Sequence, residues 1–145
     1  MLTTDQKGAI AETAIIHAAV KLGIGVFKPI SDGERYDLIF DVGDRLLRVQ
    51  CKWATPYGDV IAVRTYSSRR ASNGFRKRSY TGDEVDVIAV YCHDVDQCYL
   101  LQLDHFDGRT QFYLRLAPSR NNQRLRVNWA SEFEFEATLE RLLGP

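Results

Sequence analysis

The stretch from Tyr36 to Trp53, YDLIFDVGDRLLRVQCKW, constrains the fold more tightly than any other part of the chain. Two apolar-rich runs flank Gly43-Asp44, and a Gly-X pair in that setting is the signal of a two-residue type II′ hairpin. Such a turn sets Val42 opposite Arg45. Carried back along the strands, the same pairing places Asp37 across from Gln50, with Lys52 as its diagonal neighbour. Side chains alternate between the faces of a strand, so Asp37, Gln50 and Lys52 share one face and Leu38, Phe40, Val49 and Cys51 the other. Cross-strand partners have Cβ atoms about 5 Å apart. An acid, an amide and an amine therefore converge.

The flanking chain predicts what packs on this hairpin. Thr3 to Leu22 reads as a helix, with a capping-box pair in Thr3 and Gln6 and a stop at Gly23. Its apolar stripe is Ala11, Ala14, Ile15, Ala18, Ala19 and Leu22. Glu12 lies beside the stripe, and the small residues Gly8, Ala9 and Ala11 around it would admit a second backbone at close range. Val26 to Ile30 is a short extended piece that Pro29 assigns to an edge. Beyond the hairpin, strands are expected over Val60 to Tyr66, Val85 to Tyr91, Cys98 to Leu103, Phe112 to Leu116 and Leu125 to Trp129. Ser131 and Glu134 form a second capping-box pattern before a C-terminal helix with Phe135, Leu139, Leu142 and Leu143 on its apolar stripe. The expectation is one α/β (α+β) domain over residues 1–145, a mixed central sheet flanked by helices. Residues 67–80 read as a basic loop with a turn at Asn73-Gly74 and room for one short helix, and residues 104–145 as a peripheral C-terminal extension.

Composition narrows the setting. A chain of 145 residues buries roughly 70% of its unfolded surface, and no apolar run approaches the about 18 residues of a membrane span. The polar start, running at once into a helical pattern, is not the form of a secretory signal. The three cysteines, Cys51, Cys92 and Cys98, are odd in number and lack C-x-x-C spacing, which suits a reducing compartment rather than a disulfide framework. The net charge is zero, yet charge is segregated. Between Asp59 and Asp83 stand Arg64, Arg69, Arg70, Arg76, Lys77 and Arg78 with no acid. Between Asp107 and Glu132 stand Arg109, Arg115, Arg120, Arg124 and Arg126, again with none. A neutral protein so arranged can present a positive face to a nucleic-acid backbone, or simply two solvated loops.

The convergent trio has a chemical use. Phosphodiester hydrolysis needs charge stabilisation on the phosphate, an activated water and help for the leaving oxygen, and a hard cation such as Mg²⁺ on carboxylate oxygens supplies the first two. Asp37 is the obvious ligand, Gln50 offers a neutral oxygen, and the Cys51 backbone carbonyl is a further candidate. Glu12, brought in from the helix, would complete the shell. Lys52 would orient or deprotonate the water, or neutralise charge on the phosphate. A solvent-exposed hairpin face carries the same residue types, so spacing alone does not separate the two.

The order of these pieces adds a resemblance that favours the site. A helix with Glu12, Asp37 at the start of a hairpin and Gln50-Cys51-Lys52 at its end resemble the PD-(D/E)XK nuclease superfamily. The segments KGAIAE, RYDLIFDV, RVQCKW, RTYSS, DVIAVY and APSRNNQ…VNWA are similar to the homing endonucleases of that superfamily encoded in bacterial group I introns. The resemblance implies a restriction-endonuclease-like core and catalytic positions at Glu12, Asp37, Gln50 and Lys52. Archaeal Holliday junction resolvases share the core but carry Glu where Gln50 stands. The chain departs from the pattern in having Tyr36, not Pro, before the acid, and in the missing carboxylate at Gln50. The second departure weakens metal binding or favours a single metal, and leaves open a nuclease-like module that binds DNA with little activity.

The resulting expectation is a Mg²⁺-dependent endodeoxyribonuclease, with Mn²⁺ as a substitute, acting on double-stranded DNA as a site-specific homing enzyme. A structure-selective, resolvase-like nuclease is the alternative. Arg64, Arg69, Arg70, Arg76, Lys77, Arg78, Arg115, Arg120 and Arg124 would hold the DNA backbone, and Asn121, Asn122 and Gln123 fit either base-edge contacts or a polar turn. Arg64 fits a phosphate contact or a surface ion pair. His17, His93 and His105 read as structural or exposed, and Cys51 as core. One site cuts one strand, so a double-strand break requires at least a homodimer, or a homotetramer. The expected location is cytoplasmic and nucleoid-associated, with no membrane contact.

Overall fold

The computed structural model describes residues 1–118 and 127–144, the side chains of 69–71 and 75 excepted. In chain order the elements are α1 (Thr4–Lys21), β1 (Gly25–Phe27), β2 (Leu38–Asp41), β3 (Leu46–Ala54), β4 (Pro56–Tyr57), β5 (Val60–Arg64), β6 (Tyr66–Ala71) and β7 (Gly74–Ser79). They continue with β8 (Val87–Cys92), β9 (Gln97–Gln102), α2 (Leu103–Phe106), β10 (Gln111–Arg115) and α3 (Phe135–Leu143).

Both ends of α1 are set by local chemistry. The Gln6 amide N–H donates to Thr3 Oγ1 at 3.1 Å and the Thr3 N–H to Gln6 Oε1 at 2.9 Å, the reciprocal box expected from the sequence. At the other end Gly23 takes φ +78°. Its N–H donates to the Val20 carbonyl while the Ile24 N–H reaches Ala19, a Schellman closure. Ala11, Ile15 and Ala19 are the buried stripe. Gly8 does not serve close packing: a Cβ built there meets nothing within 4 Å, because the residue lies on the open side of the helix.

The main sheet has the order β1-β2-β3-β8-β9. β2 pairs antiparallel with β3 in the expected register, Leu38 with Val49, Ile39 with Arg48, Phe40 with Leu47 and Asp41 with Leu46. The turn is held by Val42 N–H on the Arg45 carbonyl at 3.1 Å and Gly43 N–H on Asp41 Oδ1 at 3.0 Å, with Gly43 at φ +103°. β3 then runs parallel to β8, Gln50 beside Ile88 and Lys52 beside Val90. β8 is buried throughout, which is why its sequence is a continuous apolar run. Arg48 locks the two strands together. Its guanidinium grips Asp86 at 3.0 Å and donates to the Gly82 and Asp83 carbonyls, while its own N–H donates to Asp86 Oδ2 at 2.7 Å.

Each face of the sheet carries its own apolar cluster. On one face α1 and α3 cover Leu38, Phe40, Leu47, Val49 and Ala89, with Phe40 meeting Phe135 edge-on at 5.9 Å. On the other, Ile88, Val90 and Leu101 pack against Ile61 and Val63 of β5 and Leu114 of β10. β5 lies between β10 and β4 in a second, three-stranded sheet.

Four expectations are corrected. The strand read as Val60 to Tyr66 breaks at buried Thr65, whose hydroxyl donates to the Arg109 carbonyl at 2.5 Å, so the chain leaves one sheet and enters another. Residues 67–80 are no loop: β6 and β7 pair from Tyr66–Ser79 to Ala71–Gly74 as a two-stranded ribbon. Its run of polar and basic residues, with Ser68, Arg76, Lys77 and Arg78 exposed, lacks the alternation that marks a strand with one buried face. The 104–145 segment is not peripheral, since Phe106, Phe112, Leu114, Phe133, Phe135 and Leu139 all enter the two clusters. Ser131 and Glu134 form no capping box. Residues Ala130–Phe133 make a 3₁₀ turn, and Glu134 is extended, bridged to Tyr99, with no side-chain cap. Phe133 and Phe135, driven into opposite clusters, fix the chain there instead. Of the expected strand Leu125 to Trp129, the start lies outside the described residues, and Trp129 makes a single parallel bridge to Arg115.

Candidate active site

The site forms where β3 outruns its neighbour. β2 pairs β3 only as far as Leu38–Val49, while β3 continues to Ala54. The backbone of Cys51, on the β2 side of the strand, therefore has no ladder partner there, and such groups must find another. Asp37, the residue just before β2, supplies it: its N–H donates to the Val49 carbonyl at 2.8 Å and its Oδ2 accepts the Cys51 N–H at 2.9 Å. The Gln50 side-chain amide donates to the Cys51 carbonyl at 3.3 Å. The expected register thus delivers Asp37, Gln50 and Cys51 to one spot, at an open place in the sheet that both faces can reach.

From the helical face comes Glu12. Its Oε1 lies 2.5 Å from Lys28 Nζ. Glu12, Lys28, Asp32, Glu34, Tyr36 and Asp37 line a cleft of about 260 Å³. Asp37 is pushed above the usual carboxylate range, first by burial and then by the charge of Glu12; the Cys51 N–H and the ammonium groups of Lys52 and Lys28 work the other way without prevailing. A cleft in which two carboxylates repel each other is one that favours a cation.

From the opposite face comes Lys52, beside Val90 and under the second sheet. Its Nζ donates to the Tyr66 carbonyl at 3.0 Å and rests 4.9 Å from the centre of the Tyr80 ring. Burial pushes this ammonium down to about 8; the Asp37 charge opposes the fall, and Arg35 and Arg64 add to it. Cys51 turns toward the α1 cluster, and burial holds its thiol well above its ordinary value, so it is a core group and not a nucleophile.

The donor set suits a hard divalent ion. Asp37, Glu12, the Gln50 amide and the Cys51 carbonyl are all oxygen donors. Among the described residues no three of His, Cys, Asp and Glu come together as a metal cluster. Two carboxylates must therefore be completed by neutral oxygens, and an ion drawing on the Cys51 carbonyl competes with the Gln50 amide for it.

The basic candidates divide. Arg64 is exposed, its charge reaches Lys52, and no carboxylate pairs with it among the described residues. Arg76, Lys77 and Arg78 are exposed on β7; Lys77 sits over the Tyr66 ring and Arg78 is paired with Glu84 at 2.7 Å. Arg69 and Arg70 are on β6, with side chains outside those described. Arg115 is half-buried on β10, its Nε without a partner among the described residues. Arg120, Asn121, Gln123 and Arg124 lie outside the described residues. The histidines are structural or exposed: His17 is exposed, His93 stacks on Trp53 at 5.2 Å, and His105 accepts the Gln102 N–H at 3.0 Å.

Sequence reasoning missed four residues here: Lys28, Arg35, Tyr66 and Tyr80. Lys28 and Arg35 sit in a stretch with no periodicity, so only their nearness to Asp37 along the chain marked them. Tyr66 and Tyr80 flank the basic segment and stand at the two roots of the ribbon, Tyr66 paired with Ser79.

Comparison with known proteins supplies the family. No curated protein matches the sequence. The solved structure of a bacterial homing endonuclease, I-Ssp6803I, superposes with a TM-score of 0.74 at 27% identity, covering 95% of this chain and 93% of that one. The sequence itself matches the PD-(D/E)XK endonuclease family over residues 2–136, nearly its whole length and including every residue of the site. With the acid on the helix, the acid before β2 and the amide-x-lysine on β3 in place, the chain belongs to the PD-(D/E)XK endonucleases.

Proposed function

We propose that this endonuclease is a Mg²⁺-dependent, site-specific enzyme of the homing type that hydrolyses phosphodiester bonds in double-stranded DNA, with Mn²⁺ as a working substitute. The observation that carries the reading is the break in the sheet at Asp37, where a carboxylate, a main-chain carbonyl, an amide and an amine meet from both faces. Asp37 and Glu12 would hold the ion, with the Cys51 carbonyl and Gln50 as neutral donors. When bound, the ion supplies charge stabilisation on the phosphate and a more acidic water.

The chain's own residues do the rest. Asp37, anchored through Oδ2 by the Cys51 N–H and lining the cleft, would offer its other oxygen to the ion. Lys28 holds Glu12 through Oε1, so the carboxylate would ligate through Oε2 or by exchanging Lys28 for the ion. Lys52, with its ammonium near 8, can lend charge to the scissile phosphate or take up a proton from the attacking water. Arg64 and the β6–β7 ribbon supply the backbone contacts, and a homodimer or homotetramer would bring two sites to the two strands.

Supercoiled plasmid and linear duplex with Mg²⁺, alongside Asp37→Ala, test this directly. Wild type should nick or linearise, and the variant should lose at least about 1,000-fold. Cutting confined to four-way junctions would move the assignment to a structure-selective nuclease. DNA binding without cutting, in Mg²⁺ and in Mn²⁺, would make it a nuclease-like binding module, with Gln50 as the reason.

A further inference from the structure

Arg35 makes more contacts than any function so far requires. Its side chain is only 19% exposed although it sits in a polar loop. One guanidinium nitrogen donates to Ser67 Oγ on β6. Another donates to the carbonyls of Arg78 at 3.2 Å and Ser79 at 3.0 Å on β7. Its Nε lies 3.3 Å from Glu84, which also holds Arg78, and its plane rests on the Tyr80 ring at 4.3 Å. The fork thus spans both strands at the root of the ribbon, where Ser67 and Arg78 are cross-strand partners. Arg35 is also two residues before Asp37, on the same segment. The root it grips is the one whose Tyr66 carbonyl holds Lys52, and Lys52 rests on the same Tyr80 ring.

We propose that Arg35 is a positioning residue for cleavage: it staples the basic ribbon to the segment carrying Asp37 and, through Tyr66 and Tyr80, fixes where Lys52 stands. The proposal rests on the nuclease reading above. Its physical content is geometric. A planar fork sets its donors at fixed, separated points, so it holds a hydroxyl on one strand and two carbonyls on the other in a single orientation. An ammonium is instead one compact point with rotatable donors. A ribbon that grips DNA backbone, tied rigidly to the acid and the amine, sets the scissile phosphate against both. With the tie cut, the ribbon still binds DNA, but the amine and the phosphate lose their common frame. Misplacement by about 1 Å costs on the order of 100-fold in rate.

Four variants test it: Arg35→Met, Arg35→Lys, Lys52→Ala and the Arg35→Met/Lys52→Ala pair. The rate at saturating plasmid under single-turnover conditions is read in Mg²⁺, and affinity for a fluorescent linear duplex in Ca²⁺. Arg35→Met should lose about 100-fold in rate with affinity within about threefold of wild type. In the Lys52→Ala background the same change should cost less than about twofold, because a residue acting through the amine has nothing left to position. Should the Met variant melt early, Arg35→Lys carries the same measurements with about a tenfold loss, one contact being kept. Hydrogen exchange should be faster over Tyr66–Ala71 and Gly74–Ser79 and unchanged over Val87–Cys92.

Wild-type cleavage rates in Arg35→Met overturn the proposal. So does a loss of affinity matching the loss of rate, which would make Arg35 a DNA contact, or full additivity with Lys52→Ala. Wild type that cuts no DNA at all defeats the nuclease reading itself. That outcome is told apart by the exchange difference, which reports the staple without any catalysis.

Discussion

Replacing Lys52 by Met should slow cutting about 1,000-fold, leaving a measurable residual rate, and make the protein more stable. The ammonium is buried beside Val90 and beneath Tyr80, and the structure holds it at about 8 instead of its ordinary 10.5. That difference corresponds to about 3 kcal/mol of penalty on the charged form. A methionine fills the same apolar space without it. Against this stands the Tyr66 carbonyl, which loses its 3.0 Å donor. Left half-buried and without that donor, it costs about 1–2 kcal/mol. The net gain at neutral pH is about 1–2 kcal/mol, or about 2–8 °C in Tm for a chain of this size.

The pH dependence carries the sign. A lysine with a depressed folded value contributes stability that is fully present above about 10.5 and lost as pH falls through about 8. Wild type is therefore handicapped by this group below about 8, and the Met variant is not. Urea unfolding of both proteins at pH 6.5 and at pH 10 measures the difference, in which every other titrating group cancels to first order. The variant should lead at the lower pH, and the lead should vanish or reverse at the higher. A variant less stable at pH 6.5, or a lead that does not change with pH, would refute the reasoning that burial sets the state of this amine.

Gln50→Glu adds a carboxylate beside Asp37 and the Cys51 carbonyl. Calorimetric titration should show Mn²⁺ binding about tenfold tighter, and without the ion Asp37 should rise further because a second negative charge opposes its ionisation. Arg76→Ala/Lys77→Ala removes two exposed charges from the ribbon, and the slope of log affinity against log salt should fall by about 1.8. Arg48→Met leaves Asp86 without its guanidinium. Burial pushes the Asp86 carboxyl up, but hydrogen bonds and charge from Arg48 prevail and hold it below its ordinary value, so the pair gives stability that is present above about 3.9 and lost as pH falls through the depressed value. Discounted for its partial exposure, the loss is about 0.5–1 kcal/mol at pH 7, fading in acid, with Mn²⁺ affinity unchanged.

The hairpin was legible because its information is local. Gly43 permits the turn, the turn fixes the register, and the register places Asp37 near Gln50 whatever the rest of the chain does. α1 was legible for the same reason, with Thr3, Gln6 and Gly23 writing its ends. The ribbon was not. Read alone, Ser67 to Ser79 lacks the apolar alternation that betrays a strand, and what stabilises its root is Arg35, a side chain from another segment. The false capping box at Ser131 fails likewise: two phenylalanines sorted to opposite faces of the sheet outweigh a hydrogen bond of about 1 kcal/mol.

What the sequence could not give was the side from which each group arrives. Strand alternation puts Asp37, Gln50 and Lys52 on one face, and Glu12 belongs to a helix packed on the other. In an unbroken sheet Glu12 and Lys52 would never share a substrate. They come within reach of one site because β2 stops at Leu38 while β3 goes on, and because Asp37 fills the vacancy with its own carboxylate. The same hydrogen bond that repairs the sheet occupies one oxygen of a residue that also lines the cleft. The strand end thus does two things at once, and a substitution extending β2, by sealing the Cys51 N–H with backbone, would cost the site its opening before it cost the fold anything.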